Sequence, residues 1–173
     1  MFIDVGEIRK SSERSFHFDL SEAVQPITIG NEEISFAAPV RISLDVKNTG
    51  RVLVFKGHIS GDTNLICSRC LEKYRFQLDT YFEEKFCHVS DVSDVTGDDQ
   101  DTGDLHVFEN NRIGLDDILL ENIVLAVPMK NVCSESCRGL CGICGANLNK
   151  TECDCRTDDI DPRLSTLKKF FEQ

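Results

Sequence analysis

The chain has 173 residues, 40% of them hydrophobic and 28% charged, with nine cysteines and a formal net charge of −11 at pH 7. That is the composition of one globular domain, or two if one is small, and it excludes disordered and fibrous classes. So negative a chain is no general polyanion binder, and any contact with RNA has to be local, through the mildly basic stretches 34–86 (+2) and 128–156 (+1).

No apolar run approaches the roughly 18 residues that a membrane span needs. The segment Met1–Glu7 carries acidic residues where a signal peptide carries positive charge. A cytoplasmic location is expected, and in a reducing compartment the thiols read as metal ligands rather than disulfides.

Residues 1–33 read as a short leading element, with Phe16, Phe18 and Leu20 alternating against His17 and Asp19 as in a strand. The strand period strengthens from residue 34. Val40, Ile42, Leu44 and Val46 alternate with Arg41, Ser43, Asp45 and Lys47. Asn48-Thr49-Gly50 turns the chain, and Arg51 to Phe55 returns as a partner strand. A third strand runs from Tyr74, with Tyr74, Phe76, Leu78 and Phe82 on one side and Arg75, Gln77, Asp79 and Glu83 on the other. The result is an antiparallel meander with one wet face.

Residues 89–104 hold six aspartates and no basic residue, the mark of a solvated loop or of a lure for a basic partner. Leu105–Phe108 restores order. A helix follows over 115–127, where Leu115, Ile118, Leu119, Asn122, Ile123 and Ala126 share a face, and Pro128 stops it. Asp161-Pro162 starts a last helix, with Leu164, Leu167 and Phe170 on one side. The expected fold is α+β: an antiparallel β-meander sheet with two helices and a cysteine-rich, zinc-ribbon-like loop. Its expected parts are 1–127, the sheet core with the acidic loop and first helix, and 128–173, the cysteine-rich segment and last helix.

The pairs Cys67-x₂-Cys70 and Cys141-x₂-Cys144 are each half of a tetrahedral thiolate site. Cys153 and Cys155 stand close enough to complete the second. Cys133 and Cys137 can reach Cys67 and Cys70 only through the fold, and an alternative recruits Cys137 to the local site. The expected ligands are thus Cys67, Cys70, Cys133 and Cys137 in one set, and Cys141, Cys144, Cys153 and Cys155 in the other. Cys87, after an aromatic residue at a strand end, reads as a small buried hydrophobe. Thiolates select zinc or iron over magnesium and calcium, and zinc closed by four thiolates has no open position, so two structural zinc ions are expected. A thioredoxin-type pair at Cys67 and Cys70 fits less well, because the motif joins two strands rather than opening a helix.

No catalytic residues emerge. The histidines are scattered, and no glycine-rich phosphate loop is present. The cations Arg69, Lys73 and Arg75 beside the first cysteine turn are candidate binding residues. They serve equally well to neutralise a thiolate–metal centre.

Three stretches stand in a telling order. They are Cys67-Ser-Arg-Cys70-Leu71-Glu72, then Asp116–Glu121 running to Leu125-Ala126-Val127-Pro128, then Cys137-Arg-Gly-Leu-Cys141-Gly-Ile-Cys144-Gly145-Ala-Asn147-Leu148-Asn149. With Ile160-Asp161-Pro162-Arg163-Leu164 behind them, they resemble the YceD-like family, the large ribosomal RNA subunit accumulation proteins, in its Gram-positive form. The resemblance covers about residues 34–168 and brings no catalytic residues. It implies a non-enzymatic ribosome biogenesis factor that supports accumulation of large-subunit (23S) rRNA by binding rRNA, a ribosomal protein or both, with no membrane and no small-molecule substrate. The alternative is a zinc-stabilised interaction adaptor with no ribosomal role.

Overall fold

In the computed structural model, which describes residues 1–12, 14–30, 32–92 and 105–155, the leading segment holds more than one strand. Phe2–Asp4 form β1 and Gly6–Lys10 form α1. Each buries a single apolar side chain, Ile3 and Ile8, and one buried residue leaves no period to read. The strand around Phe16 is β2 (Ser15–Glu22), followed by the short strands β3 (Ile27–Ile29) and β4 (Glu32–Phe36).

The alternating run becomes β5 (Val40–Asn48), with Val40, Ile42, Leu44 and Val46 buried. Its partner β6 spans Val52–Ile66 rather than stopping at Phe55, and β7 spans Lys73–His88. The period of two continues through Gly57, Ile59, Thr63 and Leu65, all buried, but a glycine and a threonine hide it from a search for apolar side chains. β5 and β6 pair antiparallel, with Val46 opposite Phe55, Leu44 opposite Gly57 and Ile42 opposite Ile59. β2 lines the far side of β5, with Phe18 opposite Leu44.

Gly57 is required by packing. A Cβ there would lie 2.1 Å from the ring of Phe82, which takes that space. After β7, β8 (Leu105–Phe108) pairs with it in parallel, so the sheet is antiparallel except at this edge. β9 (Arg112–Gly114) pairs with β1, and α2 (Asp116–Ala126) follows.

β2 to β8 make one seven-stranded sheet. Its inward side chains join Ile3, Val5 and Ile8 and the α2 residues Ile118, Leu119 and Ile123 in a single core. Together the described residues make a mostly antiparallel sheet with two helices. The second expected helix, from Asp161, lies outside the described residues, as does most of the acidic stretch; its first residues, Val89–Asp91, form a 3-10 turn. Among the described residues no helix is long and apolar enough to cross a membrane.

The chain forms two units. The larger comprises Met1–Leu65 and Tyr74–Asn131, and the smaller comprises Ile66–Lys73 and the residues from Val132 onward. The loop between β6 and β7 thus belongs with a segment some 60 residues later, and that grouping creates the candidate site.

Candidate metal centre

The described residues of the smaller unit lack an ordinary apolar core. Among its described residues, the buried apolar side chains are Cys67, Cys70, Cys137 and Cys141, all of them cysteines. With no leucine or phenylalanine buried among these described residues, metal ligation is a source of cohesion open to them, as in small metal-bound modules.

Both C-x₂-C segments adopt the same turn. The Cys67 amide donates to the Glu72 carbonyl and the Leu71 amide to the Cys67 carbonyl, each at 2.9 Å. In the second, the Cys141 amide donates to Ala146 at 2.8 Å and the Gly145 amide to Cys141 at 2.9 Å. The residue after the second cysteine is left-handed in both, Leu71 at φ 58° and Gly145 at φ 73°. The turn aims amides at sulfur, as where Ile143 N–H donates to Cys141 Sγ at 3.4 Å.

Eight sulfurs gather in two groups of four, Cys67, Cys70, Cys133 and Cys137, and Cys141, Cys144, Cys153 and Cys155, with the atoms of each group within 4.8 Å of one another. Cys67 and Cys137 Sγ are 3.8 Å apart, Cys70 and Cys133 Sγ 3.7 Å. Four sulfurs at about 2.3 Å from a central ion have tetrahedral edges of about 3.8 Å, so the sulfur spacing and donor chemistry of the first group fit a thiophilic metal. Each cluster could hold one ion. Cys87 belongs to neither; it is buried in β7, and burial pushes its thiol up.

Electrostatics agree with this geometry. Burial works to raise the Cys67 thiol, but the amides of Cys70, Cys133 and Arg69 outweigh it and bring it down to about 6. The Cys144 and Ile143 amides bring Cys141 down to about 6. Cys133, hydrogen-bonded to Cys137 and desolvated, is pushed up to about 12, and Cys155, hydrogen-bonded to Cys144, likewise to about 12. Four adjacent thiols cannot all ionise unless a cation offsets their repulsion.

The surrounding polar residues fix these clusters. Arg69 donates Nη1 to the carbonyls of Glu135 (3.2 Å) and Cys137 (3.0 Å), while its own carbonyl accepts from Leu140 N at 3.1 Å. Asn149 accepts from the Arg138 amide at 2.8 Å and donates Nδ2 to Cys137 Sγ at 3.3 Å. The segment that carries the second cluster therefore hydrogen-bonds a sulfur of the first. Glu72 accepts from Lys150 Nζ at 2.7 Å and from Asn147 Nδ2 at 3.4 Å, and Lys150 holds its carboxyl below the usual range.

Spacing gave no role to Asn147, Asn149 or Glu72, although all three lie in the motif stretches quoted above. Of the expected binding residues, Arg69 is engaged as described and Lys73 is exposed. Arg75, in the larger unit, makes a bidentate ion pair with Asp62 at 2.9 and 2.6 Å. The histidines do not converge: His17 meets Asp45, His58 meets Asp79 and His106 meets Glu84, on different strands.

Known proteins resemble the chain along its length. The family model described as "Large ribosomal RNA subunit accumulation protein YceD" matches residues 55–171, spanning the long strands, α2 and all eight clustered cysteines. YlbN of Bacillus subtilis (strain 168) is 28% identical over 170 residues, covering 96% of this chain and 94% of the relative. An uncharacterised protein of Mycobacterium tuberculosis (strain ATCC 25618 / H37Rv) is 28% identical over 157 residues, 89% of this chain and 74% of its own. The chloroplastic large ribosomal RNA subunit accumulation protein YCED homolog 1 of Arabidopsis thaliana is 28% identical over 158 residues, 78% of this chain and 49% of its own. No solved structure matches the chain. With a family model matched over more than half its length, from β6 through both cysteine clusters, the chain belongs to the YceD family of large ribosomal RNA subunit accumulation proteins.

Proposed function

We propose that this protein is a non-enzymatic, cytoplasmic factor that supports accumulation of large-subunit rRNA during ribosome assembly, binding the rRNA, a ribosomal protein or both. The observation that carries this reading is the family match over 55–171, supported by a plant relative whose name states the same role. In this reading each Cys₄ cluster holds one structural zinc, supplying cohesion rather than chemistry, since four thiolates leave zinc no open position. Arg69, Lys73 and Arg75 contribute to the partner surface; Arg69 and Arg75 are already oriented by their carbonyl and Asp62 contacts.

Depleting the protein and separating ribosomal particles on a gradient tests the function. A fall in large relative to small subunits is expected, and an unchanged ratio would refute it. Reversing charge at Arg69 and Arg75 together is expected to remove the protein from ribosomal fractions. Unchanged co-sedimentation of the folded variant would take these residues out of the partner surface.

A further inference from the structure

A cleft of about 260 Å³ in the larger unit is lined by residues of α1, the Asn48–Arg51 turn, the end of β7 and the turn between β8 and β9. Arg9, Lys10, Arg51, His88 and Asn111 line it, with Asp91 the one carboxylate among its described lining residues. Among the described residues its lining is net positive, on a chain of net charge −11. A groove elsewhere in the same unit, between residues 22–27 and α2, is instead lined by Glu22, Asp116 and Asp117.

The donors are held in place rather than merely close. Buried Asn48 donates Nδ2 to the carbonyls of Ile8 (3.0 Å) and Arg9 (3.1 Å), fixing the end of α1. The Arg9 guanidinium donates to Asn111 Oδ1 and lies over the Phe108 ring, 5.8 Å from its centroid. The Asp91 carboxylate is 3.9 Å from it, a long ion pair that leaves room for a second anion. Asn111, its oxygen engaged by Arg9, keeps its amide nitrogen as a donor. His88 Nδ1 meets the Ser90 amide at 3.2 Å and Ser90 Oγ at 2.8 Å, which holds the ring at the cleft wall. Lys10, exposed, donates Nζ to Glu7 Oε1 at 3.1 Å and keeps two further N–H donors on its ammonium.

We infer that this cleft binds a phosphate group. A guanidinium fork, an ammonium and an amide N–H match its several acceptor oxygens and its charge. Restraining Arg9 beforehand lowers the ordering cost of binding. The source of the phosphate follows from the proposed function, on which this part of the inference rests: a backbone phosphodiester of RNA, against free phosphate as the other source.

The test uses the full chain, with a short single-stranded RNA oligonucleotide and inorganic phosphate as separate probes. Binding is followed by anisotropy and by the Arg9 Nε–H and His88 ring signals in NMR. Both signals are expected to shift with RNA, and Arg9→Gln to weaken RNA binding about tenfold, as loss of a charge-assisted fork does. Lys10→Gln is expected to weaken it less and to lower the salt slope by roughly one. Asp91→Asn is expected to tighten binding, which a merely structural Asp91 would not do. If Arg9→Gln fails to fold, the two exposed-side-chain variants decide.

RNA binding that Lys10→Gln and Asp91→Asn leave unchanged, or unmoved Arg9 and His88 signals with both probes, overturns the site without touching the proposed function. Shifts with inorganic phosphate but no RNA binding uphold the phosphate site and count against the RNA-binding reading.

Discussion

Asn149 holds two things at once, the Cys137 sulfur through its amide nitrogen and the Arg138 backbone through its oxygen. Residues that orient metal ligands in this way typically carry 10–100-fold in metal affinity. Asn149→Ala is expected to lose metal to a chelator about 10-fold or more faster or at lower chelator concentration, with the larger unit melting as in the parent. Retention equal to the parent would make the contact incidental. Gly139 acts through its backbone. Its φ is +75°, and an added Cβ would lie 3.1 Å from the Arg69 carbonyl oxygen, which also accepts the Leu140 amide. Gly139→Ala is expected to destabilise the smaller unit by about 1–2 kcal/mol from the left-handed backbone alone, read as a lower melting temperature for metal release. The cysteines were legible because C-x₂-C spacing encodes a local turn. Asn149, Glu72 and the Asp62–Arg75 pair were not, since their partners are set by the path of the chain between distant positions.

Among the elements, β6 and β7 carry the sheet, and their packing turns on one glycine. Phe82 fills the space above Gly57, with the nearest ring carbon 2.1 Å from where a Cβ would stand. Gly57→Ala is expected to cost about 1–3 kcal/mol by overpacking, and Phe82→Ala about 3–5 kcal/mol by leaving a cavity. The double variant is expected to cost less than the sum, since the new methyl enters the space that the ring leaves. Denaturant titration of all three checks it; strict additivity would mean that the two residues do not meet. The alternation at 40–47 and the helical spacing at 115–127 announced β5 and α2, which lie at Val40–Asn48 and Asp116–Ala126. β1, α1 and β9 bury one apolar residue each, too few for any period to show. The parallel pairing of β8 with β7 is topology that no local pattern carries.

At the scale of the whole molecule, the two units differ in what holds them. The larger has a continuous apolar core from Ile3 to Ile123. Among its described residues the smaller has buried cysteines in its place, and in the proposed reading metal binding supplies its folding energy. Replacing Cys141 and Cys144 with serine is expected to unfold the second cluster while the sheet keeps its melting transition. Replacing Cys67 and Cys70 is expected to do more, because these residues close the loop between β6 and β7 onto residues 133–137, and a cross-link over a long loop constrains the unfolded chain most. Thermal melts by far-ultraviolet circular dichroism separate the two. Equal melts for the Cys67/Cys70 variant and the parent would contradict the proposed asymmetry.

The central claim, that two separate thiolate-bound metal ions build the smaller unit, is tested most directly by native mass spectrometry of the purified full chain, the Cys141→Ser/Cys144→Ser variant and the variant with all four of Cys67, Cys70, Cys141 and Cys144 replaced by serine. The prediction is two zinc ions in the parent and one in Cys141→Ser/Cys144→Ser, with the remaining ion lost in Cys67→Ser/Cys70→Ser/Cys141→Ser/Cys144→Ser. A single ion in the parent, or two ions retained after Cys141 and Cys144 are replaced, would contradict it.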